Sequence, residues 1–232
     1  MAEQGELFKE KTSGGPGLNL DDEFYAQGIR ALIGIDEAGR GPLAGPVSAA
    51  AVSLPANFSC TGLNDSKKLN EKKREELFQE FHERRNKDMI FGVGFSSAEE
   101  IDSLGILPAN FLAMRRAIQE LMLSESRELE DFCLLIDGRD KITGLEGIQQ
   151  IPVIKGDSRA RCIAAASVLA KVSRDRKMLA HAEDYPGYGF EKHKGYGTRS
   201  HMEALQRLGP CEIHRTSFAP VRRVMVSPSE TS

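Results

Sequence analysis

Apolar residues recur along this chain in two rhythms, short continuous runs and a three-to-four spacing, and their alternation outlines an order of elements. "RALIGIDE" (30–37) reads as a buried strand. After the turn "AGRGPLAGP", "VSAAAVSL" (47–54) reads as a second strand able to pair back antiparallel. "EKKREELFQEFHERRN" (71–86) is helical in pattern, with Leu77, Phe78 and Phe81 as its apolar stripe and Asn70 as its cap. "DMIFGVGFS" is a third strand with imperfect alternation. Ser97 and Glu100 match a capping box opening a short helix, and Pro108 suits the first turn of a longer one, "PANFLAMRRAIQELML". "FCLLID" and "IPVIKGD" read as strands ending in Asp137 and Asp157, and a long helix is expected from about Ser158 to His181.

A short helix over "DDEFYAQGI" precedes these elements, and "RSHMEALQRLGP", closed by Gly209 and Pro210, follows them. The order β-β-α-β-α-α-β-β-α predicts a mixed α/β sheet covered by helices, with its site at strand ends. Residues 1–19 include "TSGGPG" among charges and are expected to form a flexible tail. Within the long helix, "CIAAASVLAKV" is expected to be a core face whose small residues approach the sheet closely.

Composition narrows the picture modestly. The 232 residues, 40% hydrophobic, suit one main soluble domain, and the net charge of −3 neither announces nor excludes a polyanionic partner. Four scattered cysteines form no C-x-x-C pair, and neither a signal peptide nor a membrane span is readable, so a reducing, cytoplasmic setting is expected. Charge is uneven, however: residues 155–199 carry ten Lys and Arg against five Asp and Glu. That excess, with Tyr185, Tyr188 and Tyr196 available to stack, fits a polyanion, although a solvated helix face accounts for any single lysine equally well.

The candidate chemistry centres on "GIDEAGRGPLAG" (34–45). Gly34 and Gly39 stand at the spacing of a phosphate loop, but Arg40 replaces its lysine and Gly41 its Ser/Thr, so a P-loop nucleotidase is a poor fit. Taken alone, Asp36 and Glu37 read as solvated acids at a strand end. Asp36, Asp137 and Asp157 together, each closing an apolar run, point instead to carboxylates gathered around hard divalent cations. Glu37 ranks lower because neighbours on a strand face opposite ways. Asp175, among Arg174, Arg176 and Lys177, reads as an ion-pair or supporting residue, and His193 and His214 as groups able to touch substrate, with structural hydrogen bonding the preferred reading.

The segments "GIDEAGRGPLAGPV", "LNDSKKL", "LLIDG", "VIKGDS", "AAASVLAKVSRD", "GYGFEKHKGYGT" and "HRTSFAP" occur in this order, and with them the chain resembles ribonuclease HII, the bacterial type 2 ribonuclease H, from about Ile33 to Pro220. The resemblance implies an RNase H-like fold, a mixed five-stranded sheet flanked by helices with a helical C-terminal part, over residues 20–220, leaving 221–232 as a C-terminal tail. It implies an endonuclease that hydrolyses the phosphodiester 5′ to a ribonucleotide, in RNA–DNA hybrids or singly in duplex DNA, leaving 3′-hydroxyl and 5′-phosphate ends. Asp36, Glu37, Asp137 and Asp157 then match the acidic metal site; Gly39, Arg40 and Gly41 the ribonucleotide-reading turn; and Tyr196 the tyrosine that packs on the following sugar. Lys67, Lys155, Ser158 and Arg159 fall in segments close to substrate. Two Mg²⁺ or Mn²⁺ ions bridged by the carboxylates would acidify a bound water and neutralise the leaving oxygen, and since one chain carries every expected site residue a monomer suffices. A non-catalytic hybrid-binding module is the remaining alternative, disfavoured because acids repel a polyanion when no cation stands between them.

Overall fold

The computed structural model describes residues 18–63, 66 and 68–226; the expected N-terminal tail up to residue 17 and Lys67 lie outside the described residues. Three strands, β1 (Leu32–Ala38), β2 (Val47–Ser53) and β3 (Ile90–Ser96), pair antiparallel in sequence. β4 (Cys133–Asp137) and β5 (Gln149–Val153) extend the sheet on the other side of β1 in parallel, so the order is β3-β2-β1-β4-β5. The mixed sheet expected from the sequence is therefore present.

Both faces of the sheet are buried, which explains why its strands read as continuous apolar runs. Ile33, Ile35, Val47, Ala49, Leu134 and Ile136 form one core with the helix α4 (Ile106–Met122). Leu32, Ala50, Val52, Cys133 and Leu135 face the other way, against Leu77, Phe78 and Phe81 of α2 (Glu71–Arg84) and the long α5 (Arg161–Asp184). The 162–170 stretch of α5 is buried throughout, as its small residues predicted, because helix and sheet enclose it on most sides.

Gly34 allows α5 to lie against β1: a Cβ there would stand 2.3 Å from the backbone carbon of Cys162. The N-terminus of α5 is held by an unexpected partner. Asp21, in α1 (Leu20–Ala26), is 2% exposed and accepts from the backbone N–H of Arg161 at 2.5 Å and of Cys162 at 3.1 Å. Those N–H groups have no intrahelical acceptor, so an acid from another element caps the helix.

Local signals agree well elsewhere. Asn70 accepts from the Lys73 N–H at 2.8 Å, and Ser97 and Glu100 form the expected capping box before α3 (Ala98–Leu104). Three boundaries differ. β1 starts at Leu32 and continues one residue beyond the expected 30–37 stretch, to Ala38, because pairing with β2 carries it on past the last apolar residue. β5 stops at Val153, and Asp157 instead lies in a 3-10 turn, Gly156–Ser158. That turn delays α5 to Arg161, and the helix runs on to Asp184.

The C-terminal part comprises α6 (Phe190–His193), α7 (Arg199–Leu208) and α8 (Ala219–Val226). α8 crosses residue 220, where a tail was expected to begin, because Val221 inserts fully buried beside Leu43 and Leu205. These helices pack on the turn after β1: the Leu43 N–H donates to Gly195 O, and the Gly45 N–H to Ile213 O, both at 2.8 Å. Among the described residues, no helix is long and apolar enough to cross a membrane.

Candidate metal and nucleic-acid site

Strand parity and parallel register build the acidic group. Asp36 shares its face of β1 with Leu32 and Gly34, the face covered by α5; Asp137 shares the same face of β4 with Cys133 and Leu135. The register aligns Ile35 with Ile136, so the next residues along, Asp36 and Asp137, stand side by side at one end of adjacent parallel strands. Asp157 arrives on the 3-10 turn after β5, and the N–H of Gly156 donates to Asp137 Oδ1 at 2.7 Å. One oxygen from each of the three carboxylates lies within 4.8 Å of the other two.

Asp36 and Asp157 are buried, at 3% and 4% exposure, and Asp137 is half-buried. Burial first, then the negative charges of Glu37 and Asp137, raises the Asp36 carboxyl well above the usual carboxylate range; hydrogen bonds from Ser167 and the Glu37 N–H oppose this. Ser167 in turn lies 2.7 Å from Ser66, oxygen to oxygen. Three crowded carboxylates of this kind are costly to ionise unless a cation stands among them, and an oxygen-only donor set suits a hard divalent ion. The residues fit such an ion.

Glu37 does not join the three. Its strand neighbours Ile33 and Ile35 face α4, and its Oε1 pairs with Arg40 Nη1 at 3.2 Å. Gly39 is buried with φ +96°, and a Cβ would stand 2.0 Å from Arg174 Nε, so only glycine turns the chain there. Arg40 and Gly41 are exposed. The turn then enters β2 and not a helix, so it lacks the helix N-terminus that a phosphate loop requires, and the P-loop reading is corrected.

Lys155, exposed, and Ser158 and Arg159, half-buried, surround Asp157 on its turn; Ser158 Oγ donates to Lys155 O at 2.9 Å. Of the three tyrosines, Tyr196 is presented at 43% exposure, next to Gly195, which packs on the 39–46 turn. Tyr188 is buried, stacked on Phe190, and donates to Gly209 O; Tyr185 donates to Glu212. Tyr188 is therefore not available for stacking, because the C-terminal helices fold over it, whereas Tyr185 stays half-exposed. The basic segment is also less free than its count implied. Arg161, Lys171, Arg176 and Arg199 pair with Asp22, Asp175, Glu75 and Glu203, which places Asp175 in the ion pair expected for it.

Two further groups lie beside the site: two arginines that were not foreseen, and a network that bears out His214 as a hydrogen-bonding group and adds His201 to it. Arg174 and Arg215 lie buried beneath the turn, at 1% and 0% exposure. Arg174 stands four residues from both Ala170 and Met178, each buried, and that spacing was the legible signal for an inward-facing arginine. The second group is a histidine chain. The Cys211 N–H donates to His214 Nδ1 (3.0 Å), His214 and His201 meet through their Nε2 atoms (3.1 Å), and His201 Nδ1 lies 2.9 Å from Tyr196 O. The partners fix the tautomers: both rings are neutral, His214 donates to His201, and His201 donates to the Tyr196 carbonyl.

Protonating either ring would set two N–H groups against each other. Burial lowers His201, and burial with the neighbouring His201 brings His214 down to about 4. The unfolded chain, with histidine pKa near ~6.5, therefore binds protons more readily than the folded one, and stability is lost as pH falls from there toward ~4. Urea unfolding at pH 5 is expected to give a free energy about 1–2 kcal/mol below that at pH 7. Glu100 and Glu125, lowered to about 2 chiefly by hydrogen bonds from Arg116 and Arg127, lose their contribution below this window, as pH falls from the ordinary carboxylate range toward about 2, whereas the raised Asp36 carboxyl acts in the opposite direction, so the histidine share is the difference between wild type and His214→Gln. His214→Gln is expected to flatten this slope; an unchanged slope would contradict the assignment.

Comparison with known proteins agrees with this geometry. The sequence model of the family described as Ribonuclease HII matches residues 33–221. A protein named Ribonuclease HII from Endomicrobium trichonymphae is 49% identical over 208 residues, covering 90% of this chain and 94% of that one. Among solved structures, the ribonuclease H2 from Pyrococcus horikoshii OT3 is similar with TM-score 0.63 at 22% identity, covering 84% of this chain and 96% of that chain. Bst-RNase HIII in complex with Mn²⁺ is similar with TM-score 0.67 at 18% identity, covering 94% and 75%. These two structural likenesses speak to the fold. Family match, sequence identity and fold agree: the chain belongs to the ribonuclease HII family and is a metal-dependent hydrolytic nuclease of the RNase H fold.

Proposed function

We propose that the chain hydrolyses the phosphodiester on the 5′ side of a ribonucleotide, in RNA–DNA hybrids and at single ribonucleotides within duplex DNA, leaving 3′-hydroxyl and 5′-phosphate ends. The observation that carries this reading is the meeting of Asp36, Asp137 and Asp157 within 4.8 Å, beside an exposed glycine-flanked turn on the same strand as Asp36. Asp36, Asp137 and Asp157 hold divalent ions, two Mg²⁺ or Mn²⁺, with Glu37 as a fourth carboxylate once its pairing with Arg40 is released. Ions bound there supply an acidified water and positive charge at the leaving 3′-oxygen. Support for the ion type is the oxygen-only donor set, together with the Mn²⁺ complex of the similarly folded Bst-RNase HIII.

The protein's own groups hold and select the substrate. Gly39, Arg40 and Gly41 bring backbone close enough to test for the 2′-hydroxyl, the group that separates RNA from DNA at one position. Tyr196, the presented aromatic, packs on the neighbouring sugar, and Lys67, Lys155, Ser158 and Arg159 contact phosphates. One chain carries all of these residues, so a monomer suffices.

Incubation with all-DNA, single-ribonucleotide and full RNA–DNA duplexes, each with Mg²⁺, Mn²⁺ or chelator, tests the reading when the new ends are mapped. Cleavage is expected only with metal, only in the two ribonucleotide-containing duplexes, and 5′ to the ribonucleotide. Equal cleavage of all-DNA duplex, or none of any duplex with either ion, would end the proposal.

A further inference from the structure

Arg215 and Arg174 present an energetic puzzle. Arg215 donates from Nη2 to Gly39 O (2.6 Å), from Nη1 to Arg40 O (2.9 Å), and from Nε and Nη2 to Gly45 O (3.0 and 2.8 Å). Arg174 donates to Pro46 O (2.9 Å), Lys194 O (3.0 Å) and Ala44 O (3.1 Å). Both are fully buried, and among the described residues neither forms an ion pair with a carboxylate. Burying a guanidinium without a counter-ion is costly, and burial with the nearby Arg174 brings Arg215 down to about 9. An apolar side chain of similar volume would fill the space without that cost. What it would not supply is a rigid fork of donors aimed at successive carbonyls.

The direction of those carbonyls matters. In a trans peptide the carbonyl oxygen of one residue and the N–H of the next point opposite ways, and the structure contains no cis peptide among its described residues. With Gly39 O and Arg40 O drawn inward to Arg215, the N–H groups of Arg40 and Gly41 are turned outward. Both residues are exposed, and neither N–H has a protein acceptor among the described residues. Two adjacent donors therefore face solvent one turn beyond Asp36 on the same chain segment. Arg174 supports the arrangement from behind, by holding the far limb of the turn at Ala44 and Pro46.

We infer that Arg215 is a positioning residue: held with Arg174 beneath the turn, it aims the Arg40 and Gly41 N–H groups at the ribonucleotide sugar, so that selection of ribose depends on a buried side chain that does not touch substrate. The inference rests on the proposed ribonucleotide-directed function and deepens it. It places part of the selectivity in the "HRTSF" segment, 176 positions from Gly39 in the sequence.

The test compares wild type with Arg215→Met and Arg215→Lys. Affinities for a single-ribonucleotide duplex and for the all-DNA duplex of the same sequence are measured in Ca²⁺, and melting is followed in parallel. For Arg215→Met the ratio of the two affinities is expected to fall about tenfold, the loss of one well-aimed hydrogen bond, with all-DNA affinity within about twofold of wild type. Arg215→Lys, which keeps the charge but not the fork, should recover part of the ratio. A merely structural role would lower both affinities together. A folded Arg215→Met protein with the wild-type ratio would overturn the inference.

If Arg215→Met does not fold, amide exchange on the wild-type and Arg215→Lys proteins carries the test: ribonucleotide-dependent protection is expected to be weaker in Arg215→Lys, and equal protection in the two overturns the inference. The Arg40 and Gly41 amides should be protected by the ribonucleotide duplex and not by all-DNA duplex; equal protection by both, or by neither, overturns the inference. Wild-type protein that cuts no ribonucleotide duplex would instead defeat the proposed function itself, so the two failures are distinguishable.

Discussion

Asp36→Asn is expected to reduce cleavage of a single-ribonucleotide duplex on the order of a thousandfold or more while the protein remains folded. Asparagine keeps the shape and an acceptor oxygen for the Glu37 N–H, now 2.7 Å from Asp36 Oδ1, and for Ser167. It removes the charge that a divalent ion needs at the buried corner of the site. A thousandfold corresponds to about 4 kcal/mol of transition-state stabilisation, a reasonable share for a carboxylate that, in the proposed mechanism, would hold the divalent ions.

Stability should move the other way or not at all. In metal-free buffer, the wild-type site carries the repulsion that raises the Asp36 carboxyl, with burial as the largest cause and Glu37 and Asp137 adding to it. Asparagine relieves that repulsion, so the variant's melting temperature in chelator is expected to match or exceed that of wild type. Adding Mn²⁺ should then raise the wild-type melting temperature more than the variant's, because an ion that binds only the native state stabilises it by an amount that grows with the logarithm of its affinity. A variant that cleaves like wild type, or that gains as much from Mn²⁺, would show that Asp36 is not a ligand.

Gly34→Val is expected to destabilise the fold by about 3 kcal/mol or more, at or beyond the upper end of overpacking costs. The added Cβ alone would stand 2.3 Å from the Cys162 carbonyl carbon, 2.5 Å from the Ile163 nitrogen and 2.6 Å from the Cys162 Cβ. These are mostly helix backbone atoms, and they cannot swing aside as a long side chain would. α5 would have to lift from β1. Ser167, which bonds Asp36, and the turn carrying Asp157 just before the helix would move with it, so activity should fall along with the urea midpoint. Gly34→Ala should show the same sign with a smaller size. A Gly34→Val protein unfolding at the wild-type urea concentration would mean that this close approach is absent in solution.

Much of this was legible along the chain. The apolar runs marked all five strands, Asn70 and the Ser97–Glu100 box marked two helix starts, and the run of small residues in 162–170 marked the helix that packs closest to the sheet. Such features are local: a cap or an alternation is stabilised by residues within a few positions of one another, so the sequence carries it whole. The three aspartates were equally visible, as acids closing apolar runs.

Tertiary structure decided what each of those residues faces. Asp36 and Glu37 are neighbours with the same charge; strand parity, which had already ranked Glu37 lower, sends one among three carboxylates and the other to Arg40, and the fold keeps that parity by continuing β1 regularly to Ala38. Asp21, the first residue of the short helix expected over "DDEFYAQGI", caps α5, and no local pattern could show this because the unfilled N–H group it satisfies lies 140 residues away in sequence. Tyr188 and Tyr196 lie in one Gly- and Tyr-rich segment, on either side of α6, but the first is buried and the second is exposed. By itself, the sequence determined the elements, their order and the acids and glycines available for chemistry. The fold alone decided which acids converge, which tyrosine is presented and which arginines stay inside, because register, strand parity and long-range packing act between residues that no local pattern connects.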